Sequence, residues 1–97
     1  MSAHYRTPQI VIKTVAATGT PERISSVSRP CTQCIIVADK AAQTPNTGDI
    51  YIGPVAANGS QPIPMGSHGQ YTLAGVDLYE WYVDVATAGD GVVVIYW

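Results

Sequence analysis

Charged residues are scarce in this chain of 97 residues, which also lacks phenylalanine and any long apolar run. Only 12% of its residues are charged, roughly half the usual globular share, so uncharged polar and apolar side chains must form much of its surface. No stretch approaches the ~18 consecutive apolar residues of a membrane-spanning helix. An apolar share of 46% is too high for a disordered chain. The sequence therefore indicates one small globular domain whose surface favours contacts.

Basic residues are few, and all of them fall in the first forty positions. The chain has five basic and seven acidic residues, for a net charge of −2. The basic residues are Arg6, Lys13, Arg23, Arg29 and Lys40. Dispersed cations without interleaved aromatic residues are too few to follow a phosphate backbone, so we expect no nucleic-acid partner. The polar opening segment is not a hydrophobic leader, and we expect synthesis in the cytoplasm and no membrane partner.

Proline and glycine interrupt the sequence so often that no helix of stable length fits between them. The chain has seven prolines and nine glycines, and the segments between them are rich in β-branched residues. About seven short strands are predicted, which indicates an all-β fold: a small antiparallel β-sandwich, with a small β-barrel as the alternative. Residues 1–8 are predicted to form a flexible N-terminal arm, and residues 9–97 a single domain.

The first strands are predicted at residues 9–17, 23–27 and 32–38. The third of these is apolar on both faces, so we expect it in the middle of a sheet. The remaining predicted strands before residue 78 are short and lie at residues 48–53 and 70–73, with a segment at 62–66 that allows only edge pairing. That restriction follows because proline lacks a backbone donor.

The strongest strand pattern lies at the C-terminal end. Residues 78–86 alternate with a period of two, and Trp81 on the apolar side is expected to anchor the core. A turn at residues 87–91 leads into the wholly apolar segment 92–97, so a C-terminal hairpin is predicted. Both faces of this last strand need to be covered, and the core covers one of them. The other requires a second layer of the domain or another copy of the chain.

The CxxC spacing of Cys31 and Cys34 occurs in redox and metal sites, but it lies on a predicted strand. Positions three apart on a strand face opposite ways, which opposes both a disulfide and shared metal ligation. No second CxxC or neighbouring histidine completes a zinc site. We therefore predict two buried free thiols and no bound metal.

No other group of residues has the pattern of an active site. His4 and His68 lack a visible partner, and Ser67 beside His68 has no activating elbow. Glu80 and Asp84 share the polar face of a predicted strand about 13 Å apart, which is too far for a glycosidase pair. The loop acids match no calcium-loop spacing. The sequence therefore predicts no catalytic residue, no cofactor and no enzymatic activity.

Three stretches are spread along the chain between residues 17 and 91: residues 17–25 (ATGTPERIS), 46–53 (NTGDIYIG) and 82–91 (YVDVATAGDG). Their pattern resembles the small all-β virion structural proteins of tailed bacteriophages, especially capsid decoration or cement proteins. This resemblance implies a non-enzymatic component on the head surface that bridges major capsid subunits and contacts copies of itself, with a homotrimer expected. The family has no catalytic motif to carry over.

Aromatic and basic side chains of the types enriched at interfaces are the candidate contact residues. They are Tyr5, Arg6, Tyr79, Tyr82, Tyr96 and Trp97, and the first two lie in the predicted arm, a candidate strap onto a neighbouring subunit. Two alternatives remain open. The chain could be a carbohydrate- or receptor-binding β module whose aromatic rings stack on sugars, or a tail or connector component of the virion.

Overall fold

The computed structural model describes residues 7–54, 62–66 and 68–97. Within these residues the chain forms antiparallel strands and one short 3₁₀ helix, Leu78–Glu80, so the predicted all-β antiparallel fold is confirmed. The strands are β1 (Gln9–Thr14), β2 (Glu22–Arg23), β3 (Pro30–Val37), β4 (Asp39–Ala41), β5 (Thr44–Pro45), β6 (Ile50–Gly53), β7 (Ile63–Met65), β8 (Gln70–Asp77), β9 (Tyr82–Val85) and β10 (Gly91–Tyr96).

Two four-stranded sheets contain most of these strands. The first sheet has the order β1-β10-β3-β8 and the second has the order β2-β9-β6-β7, while β4 and β5 pair separately. The interior position of β3 confirms the prediction for its apolar run. The edge position of β7, which contains Pro64, confirms the prediction for the proline-rich segment.

Buried residues of both sheets join in one hydrophobic cluster. The first sheet contributes Ile36, Val92 and Val94, and the second contributes Ile50, Ile52 and Val83, all with no exposed surface. Each of these sets alternates along its strand with less buried residues, as expected for strands with one face on a core. The core therefore consists mainly of β-branched side chains.

The predicted strand at residues 78–86 is wrong over its first half. Residues Leu78–Glu80 form the 3₁₀ helix, which Asp77 caps by accepting a hydrogen bond from the Tyr79 N–H. This turn places Leu78 in the core with no exposed surface, whereas Trp81 is only half-buried against the cluster. Leu78, rather than Trp81, is the core anchor of this segment, because the helical turn replaces the two-residue period.

The predicted C-terminal hairpin is also wrong. β9 pairs with β2 and β6 in the second sheet, whereas β10 pairs with β1 and β3 in the first. The connection between them therefore crosses from one sheet to the other. Five residues are long enough for this crossing, because packed sheets lie only ~10 Å apart.

The predicted strand at residues 23–27 is shorter than expected, because β2 ends at Arg23. The Ser25 hydroxyl donates to the Val27 carbonyl at 2.7 Å and accepts from the Val27 N–H at 3.3 Å. Such local side-chain bonds compete with strand pairing and turn the chain. Ile24 is nevertheless buried in the core.

Candidate functional site

The predicted contact residues fall into two places. Tyr79 and Tyr82 come together although the sequence placed them on opposite faces of one strand, because the 3₁₀ helix rotates Tyr79 toward β9. Tyr96 and Trp97 lie at the end of β10, where Tyr96 is 8% exposed and Trp97 is half-buried. Tyr5 and Arg6 lie outside the described residues.

Tyr79 and Tyr82 line a groove of about 660 Å³ on the side of the molecule where the edge strands β1 and β2 meet. We call it the flank groove and define it by Lys13, Glu22, Arg23, Arg29, Tyr79 and Tyr82. Lys13 and Glu22 bridge the two edges through an ion pair of 2.7 Å. The hydrogen bond from Lys13 is the main reason that the pKa of Glu22 lies below its usual range, and the Ala16 N–H adds to it.

Arg23 is held between aromatic rings inside the flank groove. Its guanidinium carbon lies 4.0 Å from the centre of the Tyr79 ring and 4.9 Å from that of Tyr82. The same guanidinium donates a hydrogen bond to the Tyr79 carbonyl. Cation–π contacts of this kind fix the arginine and occupy one face of each ring.

Arg29 lies at the other side of the groove and is held by neutral partners. Its Nε donates to the Ser25 hydroxyl at 3.1 Å, and a terminal nitrogen donates to the Tyr96 hydroxyl at 2.8 Å. That hydroxyl in turn donates to the Gln9 side chain at 2.9 Å. Tyr96 therefore links β1 to Arg29.

Asp77 fixes the loop that carries Arg29. Its carboxylate accepts from the Arg29 N–H at 2.7 Å, the Ser28 hydroxyl at 2.5 Å and the Tyr79 N–H at 2.9 Å. These hydrogen bonds, first that of Ser28, hold the pKa of Asp77 below its usual range. Asp77 thus ties the segments carrying Arg29 and Tyr79 to the same point. No motif or spacing in the sequence pointed to this residue.

The outer face of the first sheet is apolar across three strands. The strand register aligns Ile10, Ile95 and Ile35 in one row and Ile12, Val93 and Val37 in the next. We call these six residues the apolar face. Ile10 and Ile12 are 65% and 51% exposed, and the other four keep partial exposure. The second face of β10, which the sequence predicted to need a covering, belongs to this surface.

The two cysteines lie on the same side of β3, so the prediction of opposite faces is wrong. The N–H groups of Thr32 and Gln33 both donate to the Trp97 carbonyl, at 2.8 and 3.2 Å, which is the pattern of a β-bulge. The extra residue turns both Cys31 and Cys34 toward the core. They are free and buried, as predicted.

Burial raises the pKa of both thiols, and the pKa of Cys34 rises to about 12. We expect both to react slowly with a thiol reagent at pH 8 in the native protein, because the thiolate is the reactive form. Denaturation without a reductant should expose two thiols per chain. The colorimetric thiol titration measures both states, with Cys31→Ala as the one-thiol control. Fewer than two thiols in the denatured wild-type chain would contradict the buried, reduced pair.

His68 does have a neighbour, contrary to the sequence analysis. Its Nδ1 lies 2.8 Å from Oδ1 of Asp39, and its imidazole is 62% exposed. Ser67 and His4 lie outside the described residues. Within the part of the chain that the structure describes, no three His, Cys, Asp or Glu side chains are grouped so as to hold a metal ion.

The expectation that Glu80 and Asp84 share one polar strand face is wrong. Glu80 is exposed on the 3₁₀ helix, whereas Asp84 is 7% exposed. The Asp84 carboxylate accepts from the Gly19 N–H at 3.0 Å and from the Val85 N–H at 2.8 Å. Asp84 therefore fixes the β1–β2 loop against β9 and has a structural role.

Comparison of the chain with protein-family models, with curated proteins and with solved structures gives no match. None of the helical residues described forms a helix long and apolar enough to span a membrane. Among the described residues, the flank groove and the apolar face are two surfaces with the chemistry of a contact site.

Proposed function

We propose that this chain is a non-enzymatic structural protein of a tailed-phage virion, of the capsid decoration or cement type. It binds major capsid subunits and copies of itself on the head surface, and it stabilises the shell by bridging neighbouring subunits. The sequence resemblance supports the class of protein. The apolar face is the single structural observation that carries the proposal.

The apolar face has the composition of a protein contact. Its six side chains are all β-branched and uncharged, and the two most exposed lie on the edge strand β1. Burying such surface on association contributes roughly 25 cal/mol per Å² of apolar area. A monomer gains nothing from leaving these side chains in water, and contiguous apolar patches commonly mark interaction sites.

The proposed mechanism is mechanical rather than chemical. A decoration protein held by several copies and several contacts gains effective concentration at each further contact, so individually weak interfaces give a firm attachment. A closed cyclic trimer would present the same contact three times over a junction between capsid subunits. The shell then resists internal pressure through many shared contacts.

Binding to capsid shells tests this proposal. We expect the purified chain to co-sediment with empty shells assembled from the major capsid protein of the same genome, and the double variant Ile10→Lys/Ile12→Lys to bind at least about tenfold more weakly. Each lysine adds a charge that must lose its hydration when the contact forms. A loss of about 1.4 kcal/mol of binding free energy makes the affinity tenfold weaker. Both positions are more than half exposed, so the isolated fold should survive.

The matched control is Val27→Lys, because Val27 is an apolar residue of 53% exposure outside the apolar face. It should bind shells as the wild type does. Equal shell binding by the double variant would exclude the apolar face as the attachment surface, and no binding by the wild type would overturn the proposed function. Electron microscopy of decorated shells then gives the copy number and separates a head protein from a tail or connector component.

A carbohydrate-binding module is the competing function, and a glycan array tests it directly. Stacking on sugars needs open aromatic faces, and Arg23 covers one face of Tyr79 and one of Tyr82. This arrangement favours protein contact over sugar stacking at the flank groove. Specific binding to an arrayed sugar, without binding to shells, would support the recognition module instead.

A further inference from the structure

The flank groove keeps positive charge that its own residues do not neutralise. Lys13 is paired with Glu22, but no carboxylate among the described residues forms an ion pair with Arg23 or Arg29. Both arginines instead donate to neutral oxygens, those of Tyr79, Ser25 and Tyr96. The groove is therefore positive in a chain whose net charge is −2.

Both arginines are held in place before any ligand arrives. Arg23 is stacked on two tyrosine rings, and Arg29 is bonded through two of its nitrogens. A guanidinium has five N–H donors in a planar fork, so each arginine retains donors for a further acceptor. Because its position is already fixed, little side-chain entropy is lost when it binds a carboxylate.

The edge of β1 borders the same groove. The Val15 N–H donates to the Asp90 carbonyl on the β10 side. Since backbone groups alternate between the two edges of a strand, the N–H and C=O groups of Ile10, Ile12 and Thr14 point away from β10. Among the residues that the structure describes, no strand pairs with this edge of β1, so its row of donors and acceptors can take an added strand.

We propose that the flank groove binds an extended acidic segment of a partner protein, which pairs with the edge of β1 and places carboxylates against Arg23 and Arg29. The charge of the groove selects carboxylates, and the strand edge selects an extended backbone. Two uncompensated cations beside Glu22 are too few to follow a nucleic-acid backbone. The inference rests on the proposed function, because it names the chemistry of the segment that such a protein-binding chain would hold.

Peptide binding tests the inference. The probe is a fluorescein-labelled peptide of eight residues with glutamate at every second position and Val or Thr between, so that all carboxylates share one face of the strand. The matched peptide has glutamine in place of each glutamate. At low salt we expect the acidic peptide to bind at least about tenfold more tightly, and the preference to shrink as screening increases.

Variants locate the site. Arg23→Gln and Arg29→Gln should each weaken binding of the acidic peptide at least about fivefold, whereas Lys40→Gln removes the same charge outside the groove and should leave it unchanged. Amide resonances of residues 10–14 should shift on titration with the acidic peptide. Thermal melts check that each variant is folded. If Arg29→Gln fails to fold, the affinity of Arg23→Gln and the amide shifts of the wild type still show whether the acidic peptide binds in the groove.

Three results would overturn the inference. The chain binds both peptides with equal affinity, it binds neither peptide at millimolar concentration, or the arginine variants bind the acidic peptide as tightly as the wild type does. Tighter Arg23-dependent binding of a single-stranded oligonucleotide would overturn it in favour of nucleic acid. Shell binding at the wild-type level by both arginine variants would leave the proposed function standing and exclude the groove as its contact. A peptide preference without any shell binding would leave the groove standing and overturn the proposed function.

Discussion

Replacing Gly91 by alanine is expected to destabilise the native fold strongly. A Cβ atom at this position would lie 1.9 Å from the Lys13 carbonyl oxygen and 2.7 Å from the Thr14 Cα. Both are backbone atoms of β1, with which β10 pairs, so the neighbour cannot rotate away. Overpacking typically costs 1–3 kcal/mol, and a clash between two backbones in a ladder should cost at least about 3 kcal/mol. That corresponds to a fall in Tm of at least ~12 °C for a domain of this size.

Thermal unfolding followed by circular dichroism measures the effect, and Gly66→Ala is the matched control. The nearest atom to a Cβ at position 66 is an Asp49 carboxylate oxygen at 3.8 Å, an ordinary contact. The free energy of unfolding of Gly66→Ala should stay within about 0.5 kcal/mol of the wild-type value. A Gly91→Ala protein that unfolds cooperatively near the wild-type Tm would show that β1 and β10 are not paired in this register.

Replacing Asp90 by alanine should destabilise the protein by roughly 3 kcal/mol. Asp90 is 1% exposed, and its carboxylate accepts from the Thr47 N–H at 3.0 Å and from the Gly48 N–H at 2.8 Å. Removing the buried carboxylate leaves two partly buried backbone donors without their acceptor. Lys40, whose ammonium lies 3.9 Å away, also loses its counter-charge.

The control for Asp90→Ala is Glu80→Ala, which removes the same charge from an exposed position on the 3₁₀ helix. Chemical denaturation should show a change below about 0.5 kcal/mol for this control. The loss of stability in Asp90→Asn should lie between those of Asp90→Ala and Glu80→Ala. Its amide oxygen can still accept a hydrogen bond, but the charge is lost. An Asp90→Ala protein as stable as Glu80→Ala would mean that the loop at residues 46–48 is held by other contacts.

Local patterns predicted the strands better than their pairing. The β-branched run of β3 indicated an interior strand, and Pro64 indicated an edge strand, because both properties depend on residues within the segment itself. The hairpin prediction failed because a short turn with glycine suits both a return in one sheet and a crossing between two. The buried carboxylate of Asp90 lies in that crossing segment and accepts hydrogen bonds from Thr47 and Gly48. No local sequence pattern predicts these hydrogen bonds.

The two candidate surfaces depend on contacts far apart in the chain. Ile10 and Ile12 alternate with Val11 within β1, but their alignment with β10 and β3 requires a register that one segment does not reveal. Arg23 and Tyr79 are brought together across 56 positions. The orientation of Cys31 depends on the bulge at Thr32. In that bulge the N–H groups of Thr32 and Gln33 both donate to the carbonyl of the distant residue Trp97.

The order of strands in the first sheet sets the time at which this protein can fold during synthesis. β1 is made first, but its hydrogen-bonded partner is β10, which also separates it from β3. Until residues 91–96 leave the ribosome, β1 lacks its ladder partner among the described strands, and Ile10 and Ile12 are accessible to other nascent chains. The first sheet therefore cannot form completely before β10 has been made, and long-range pairing of this kind is slow.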